Sequence, residues 1–252
     1  MRTLAFVNQK GGVGKTTSAV NVAAALAEMG KRVLLVDLDP QGCAGAWFGV
    51  RSDGKGLLDV LSGNGSLVDL VSISGIPGVD VVPASEWLSS ADRSLAGEVG
   101  AETILRKALH RLPARWDFVL VDCPPALGLL VVSALVAVRE VFVPVEASTM
   151  ALGGLARLVQ TVDRVKERLN PDLRLSHILA VRVDSRTNLS RDVVDHLREK
   201  FGDLVLKTVV RESVRFREAW SFSKPITIYD PKGPGAEDYR AVADELLRKG
   251  DR

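Results

Sequence analysis

The first forty residues alternate two kinds of apolar pattern. Residues 3–8, TLAFVN, form a short continuous run of β-prone side chains. From Thr17 to Glu28 the residues are strong helix formers, with Val20, Ala23, Ala24 and Ala27 at helical spacing. Gly30 then supplies a C-terminal stop. Residues 32–39, RVLLVDLD, are again continuously apolar until the acids, as expected of a strand covered on both faces. Strand, loop, helix and strand in this order make a βαβ unit.

The alternation continues. The pattern predicts further strands over 79–84, 117–122, 140–146, 177–183 and 204–210. It predicts helices over 101–112, 128–138, 152–169, 191–201 and 235–248. Strands alternating with helices imply an α/β fold, a doubly wound, mostly parallel sheet flanked by helices on both faces. The Gly/Ser-rich stretch 51–75 contains the apolar pairs Leu57-Leu58 and Leu67-Val68 and reads as a surface excursion with short helices. The expected organisation is one domain over 1–252. In such sheets ligands bind beyond the carboxyl ends of the strands. The glycine loop after the first strand, Asp37, Asp39, Asp122 and Glu146 all fall at predicted strand ends and are expected on one edge.

Composition changes this picture little. The chain has 252 residues, 46% hydrophobic and 25% charged, with a formal net charge of +2, which decides nothing about nucleic acid. Cys43 and Cys123 lack metal-ligand spacing, which fits a reduced, cytoplasmic setting. The apolar run 126–138 is shorter than the roughly 20 residues a membrane helix needs. His110, His177 and His196 lie on predicted helix or strand faces and carry no assigned chemistry.

The chemistry is concentrated in residues 7–21, VNQKGGVGKTTSAVN. Gly11, Gly12, Val13 and Gly14 let successive backbone N–H groups face one anion, and the following helix adds its positive end. Lys15 offers a point charge to the β/γ-phosphates, Thr16 a hydroxyl for Mg²⁺, and Thr17 continues the turn. This is a P-loop NTPase signature, with one departure. The phosphate loop is spelled G-x-x-x-x-G-K-[ST], yet its first position holds Gln9 and a second lysine, Lys10, follows. Asp122 ends the apolar strand FVLVD, where such enzymes keep a carboxylate for Mg²⁺. Asp37 and Asp39, two apart, would share one strand face, so their mutual repulsion needs a cation nearby. Asp37 is assigned to the metal shell and Asp39 to the hydrolytic water, compatible with a turn at Asp39-Pro40-Gln41-Gly42.

Together KGGVGKTT, LLVDLDPQG and VLVDCPP resemble the ParA/MinD family of deviant Walker-type ATPases. Within it the chain is similar to the short, Soj-like ParA proteins of chromosome partitioning, through VPVEASTMALGGL, DSRTNLS and KPITIYDPKGPGAEDY as well. The resemblance implies an ATP hydrolase using ATP and Mg²⁺, slow alone and stimulated by a ParB-like centromere-binding partner whose basic segment completes the site. It implies that Lys10 reaches across an ATP-bound homodimer to the other subunit's phosphates. It implies non-specific double-stranded DNA binding by a nucleoid-associated dimer through Arg186 and Arg215, extended by Arg217 and Lys224. Arg211-Glu212-Ser213 stands where relatives carry Pro-x-Asn at the adenine, so Arg211 and Ser213 are the matching candidates. Trp220 stands where relatives usually carry proline. Other readings are a MinD-like membrane-cycling ATPase and a ParA-like ATPase positioning another cargo. A reductase of the nitrogenase iron-protein type is a poorer fit, because neither cysteine sits in a matching motif. The terminal segment EDYRAVADELLRKGDR is amphipathic, but its polar face mixes acids and bases, which favours packing on the domain and no membrane contact.

Overall fold

The computed structural model describes residues 1–148 and 151–250. Seven strands form one sheet in the order β3-β4-β2-β5-β1-β6-β7. They are β1 (Arg2–Phe6), β2 (Val33–Asp37), β3 (Ser72–Ile73), β4 (Val79–Val82), β5 (Phe118–Asp122), β6 (Glu140–Glu146) and β7 (Arg174–Val181). All neighbours are parallel except the short β3, which runs antiparallel to β4 at the sheet edge.

The α-helices of the first half are α1 (Lys15–Glu28), α2 (Cys43–Trp47), α3 (Leu57–Leu61), α4 (Ala91–Ser94), α5 (Ile104–His110) and α6 (Leu129–Ala137). Those of the second half are α7 (Ala151–Arg168), α8 (Asn188–Phe201), α9 (Arg215–Ser221), α10 (Ile226–Tyr229) and α11 (Pro234–Gly250).

Period-two alternation along the strands sorts side chains into two cores. Ala5, Leu34, Val36, Val119, Val121, Val141 and Val143 face one core with residues of α3, α5, α6, α7 and α8. Leu4, Phe6, Val33, Leu35, Phe118, Leu120 and Phe142 face the other with residues of α1, α2 and α11. This two-sided burial is why the strands read as continuous apolar runs. In α11, Tyr239, Val242, Ala243 and Leu246 are fully buried, and the Tyr239 hydroxyl lies 3.2 Å from Ser18 Oγ on α1. The amphipathic face of the terminal segment is therefore spent on the domain. Among the described residues no helix is long and apolar enough to cross a membrane. His177 is a buried side chain stacked on Phe142, and burial lowers its pKa to about 4.

Three expectations need correction. Residues 204–210 are not a strand: they make an isolated bridge, Ile178 with Val205, single backbone bonds from Leu206 and Val210 to β7, and one from the Val183 N–H to the Val210 carbonyl. The short 3₁₀ turn Gly202–Leu204 delivers this segment to the sheet edge without regular pairing. Asp39 does not share a strand with Asp37, because β2 ends at Asp37 and the chain turns. Helix α8 also begins earlier than residue 191, since Thr187 caps it by accepting the Ser190 N–H.

Candidate nucleotide site

β1 lies between β5 and β6, so the loop leaving it emerges at the centre of the sheet's carboxyl edge. Gly12 and Gly14 hold left-handed conformations, φ 73° and 78°, which a side chain would resist. Gly14 precedes α1 and no side chain caps the helix, so its first-turn N–H groups stay open to an anion. Asn8 braces the loop, donating to the Pro144 carbonyl at 2.7 Å and accepting the Lys10 N–H at 3.0 Å.

Lys15 is buried, only 6% exposed, and its ammonium donates to the Lys10 carbonyl at 3.4 Å. Burial lowers its pKa, while Asp122 and Asp39 pull the other way. Asp37 and Asp122 are register partners on adjacent strands, both 0% exposed. Their environments differ. Asp37 accepts the N–H groups of Gly45 at 2.9 Å and Asp39 at 3.2 Å, so it pins the loop after β2. Burial still raises its pKa to about 7. Neither carboxylate oxygen of Asp122 has a hydrogen-bond partner, and burial followed by the charge of Asp37 pushes its pKa well up. The Thr16 hydroxyl is near enough to ease that shift without reaching hydrogen-bond geometry. Two orphaned carboxylate oxygens beside a hydroxyl fit a hard divalent cation, which takes oxygen ligands.

A cleft of about 830 Å³ opens over the loop. Gly11, Gly12, Gly14, Lys15, Thr16, Thr17 and Asp39 line one side. The Asp39 carboxylate accepts the Gln41 N–H at 3.0 Å and so opens the turn toward Gly42. Arg211, Ser213, Arg186 and Arg217 line the same cleft. Arg211 is largely committed elsewhere, donating to Asp238 at 2.7 Å and to the Pro234 carbonyl at 3.0 Å. Ser213 Oγ accepts the Arg215 N–H at 3.2 Å.

The structure thus brings Arg186 and Arg217 to the cleft and leaves Arg215 and Lys224 outside its lining. Arg186 folds back on Asp184 at 2.8 Å and holds that carboxylate down to about 2. Arg215 pairs with Glu218 at 2.8 Å. Val13 is buried and Lys10 is half exposed, its ammonium on Glu146. Arg182 was absent from the sequence-derived site. It has a left-handed φ of 55° and donates to the Gly12 carbonyl at 3.4 Å and to Glu146 at 3.3 Å. A backbone outlier of this kind leaves no mark in the sequence. Burial raises the pKa of both Cys43 and Cys123, so neither thiol is activated.

The fold and this loop define a P-loop NTPase. A family model described as an AAA domain matches residues 1–175. The chromosome-partitioning ATPase Soj of Thermus thermophilus is 46% identical over 99% of this chain and 96% of its own. The sporulation initiation inhibitor protein Soj of Bacillus subtilis is 41% identical over 99% of both chains. Among solved structures, cobyrinic acid a,c-diamide synthase from Mycobacterium smegmatis with bound ATP analog and magnesium has a TM-score of 0.87 at 36% identity. That match covers 100% of this chain and 96% of the other. The chain belongs to the ParA/MinD family of P-loop ATPases.

Proposed function

We propose that this protein is a ParA-type ATPase of chromosome or plasmid partitioning, in which Mg·ATP joins two copies into a DNA-binding dimer and hydrolysis releases it. Asp122 carries the reading: a doubly unpartnered, fully buried carboxylate at a strand end beside a left-handed glycine loop is costly unless a cation answers it. Thr16 and Asp122 are the residues that would hold Mg²⁺, with Asp37 bracing the loop behind them. Mg²⁺, when bound, offsets phosphate charge and orients the triphosphate. Lys15 and the N–H groups of residues 11–16 cradle the phosphates. Asp39 positions the attacking water, and Lys10 serves the phosphates of the other copy.

Non-specific DNA contact through Arg186, Arg215, Arg217 and Lys224 follows from phosphate attraction, which needs no base reading. Each arginine whose pairing is described above sits on a local acid, so a single copy offers a weak surface and two copies a stronger one. A ParB-like partner supplying a basic segment accounts for a slow basal rate, and association with the nucleoid follows from the DNA contact. The two Soj relatives, one a chromosome-partitioning ATPase, support this reading.

The test is DNA binding with ADP, ATP and a slowly hydrolysed analogue at two salt concentrations. Retention with ATP and the analogue, loss with ADP and a steep salt dependence are expected. Equal binding in all three nucleotide states sinks the switch.

A further inference from the structure

The cleft carries an aromatic group that the proposed reaction does not use. Phe216 and Trp220 sit four residues apart on α9, hence on one helix face, and both line the cleft together with Gly12, Lys15 and Thr16. Two ring pairs wall this side. Phe216 meets Tyr239 edge to face, with centroids 5.7 Å apart at 90°. Trp220 meets Trp47 in the same manner, at 5.1 Å and 68°. Trp47 is the buttress: it is buried, and its Nε1 donates to the Lys224 carbonyl at 2.7 Å. Trp220 is the open member, 38% exposed. An edge-to-face contact can cover only one face of the Trp220 indole, so the other is free of Trp47.

The polar side chains of the same lining include the charged Asp184, Arg186, Glu212 and Arg217. Ser213 offers one hydroxyl, already accepting a backbone N–H, and the Arg211 guanidinium is held by Asp238. A buttressed, open indole on the cleft wall can hold a base by its face.

We propose that Trp220 is the base platform of the nucleotide cleft, stacking on the purine ring of a bound nucleoside triphosphate. This rests on the nucleotide reading of the cleft. Stacking does not distinguish base edges, so the platform strengthens binding of ATP and GTP alike.

The experiment measures equilibrium binding of Mg·ATP, Mg·GTP and inorganic triphosphate, with tryptophan emission as a second readout. Trp220→Ala is expected to weaken both nucleotides by about 5- to 150-fold, the range base–aromatic stacking supports, and to leave inorganic triphosphate unchanged. Trp220→Phe keeps a stacking ring and the contact with Trp47, so it retains most of the affinity. The same variant is expected to lose most of the ATP-induced quench expected in the wild-type protein. Wild-type ATP affinity in Trp220→Ala, an equal loss for inorganic triphosphate, or an unchanged quench in Trp220→Phe overturns the proposal. Failure of the underlying nucleotide reading looks different: the wild-type protein then binds neither ATP nor triphosphate, or Lys15→Ala binds both as well as wild type.

Discussion

Lys10 and Glu146 face each other across adjacent strands, the ammonium of the loop after β1 held by the carboxylate that ends β6. Arg182 shares that carboxylate at 3.3 Å. The Lys10 side chain is 50% exposed, so the pair contributes at most about 1 kcal/mol. A triphosphate from a second copy carries more charge and can take the lysine away. A dimer gives up this pair in both copies, so Glu146→Gln is expected to favour the ATP dimer, lowering its dissociation constant by up to about 30-fold. Lys10→Gln is expected to abolish that dimer while ADP still binds the single copy. Light scattering with ATP checks both, and a persistent dimer in Lys10→Gln sinks the role given to the second lysine.

Asp39 sits at the cleft wall with one oxygen on the Gln41 N–H. Asp39→Ala removes the group proposed to orient water and leaves Lys10, Lys15 and the glycines in place. Hydrolysis should fall by about 10²-fold or more, within the range general-base removal produces, while ATP still dimerises the protein. Phosphate release at the wild-type rate would falsify the assignment.

The buried acids set a pH dependence. Folded-state pKa values raised above the ordinary carboxylate range mean that the native state binds more protons than the unfolded chain. Stability contributed by Asp37 is thus lost as pH rises from about 4 through about 7, and that of Asp122 is lost in the same direction. Above pH 7 His177 is largely neutral in both states and drops out. As pH rises from about 5 to about 8.5, without Mg²⁺, Asp122→Asn should become progressively more stable relative to wild type. Tm should gain about 2–4 °C for each kcal/mol regained. Thermal unfolding at the two pH values, with and without Mg·ADP, reads this. A gap that narrows with pH contradicts the buried-charge account.

Arg186 and Arg215 are exposed side chains, each paired with a neighbouring acid. Replacing either by Ala should weaken DNA binding in the ATP state for all sequences alike. Each loss should reduce the slope of log affinity against log salt by about 0.9 per phosphate contact. Fluorescence anisotropy on two unrelated duplexes across a salt series measures both quantities. An unchanged slope removes the residue from the surface.

Leu246 is fully buried in α11 within the core shared with α1. Leu246→Ala should destabilise the fold by about 2–5 kcal/mol. Denaturant unfolding checks this. A change below about 0.5 kcal/mol would show that the terminal helix is only loosely held.

By itself the sequence determined the parallel sheet, the phosphate loop and the two cores. Strands buried on both faces need continuous apolar runs, and a left-handed anion loop needs glycine at Gly12 and Gly14, so both leave marks in residue order. It also placed Asp37, Asp39, Asp122 and Glu146 on one edge, because each ends a strand or, for Asp39, follows one by two residues, and the βαβ pattern already sets the strand direction. What the tertiary structure decided is how each of those groups is satisfied. Asp37 and Asp122 look alike in sequence, yet one is spent on backbone N–H groups and the other is left with none. The unpaired path of residues 204–210, the left-handed Arg182, the burial of one face of α11 and the Trp47–Trp220 pair depend on segments far apart in the chain. Periodicity reports which face a residue takes within its own element; only packing between elements decides what that face meets.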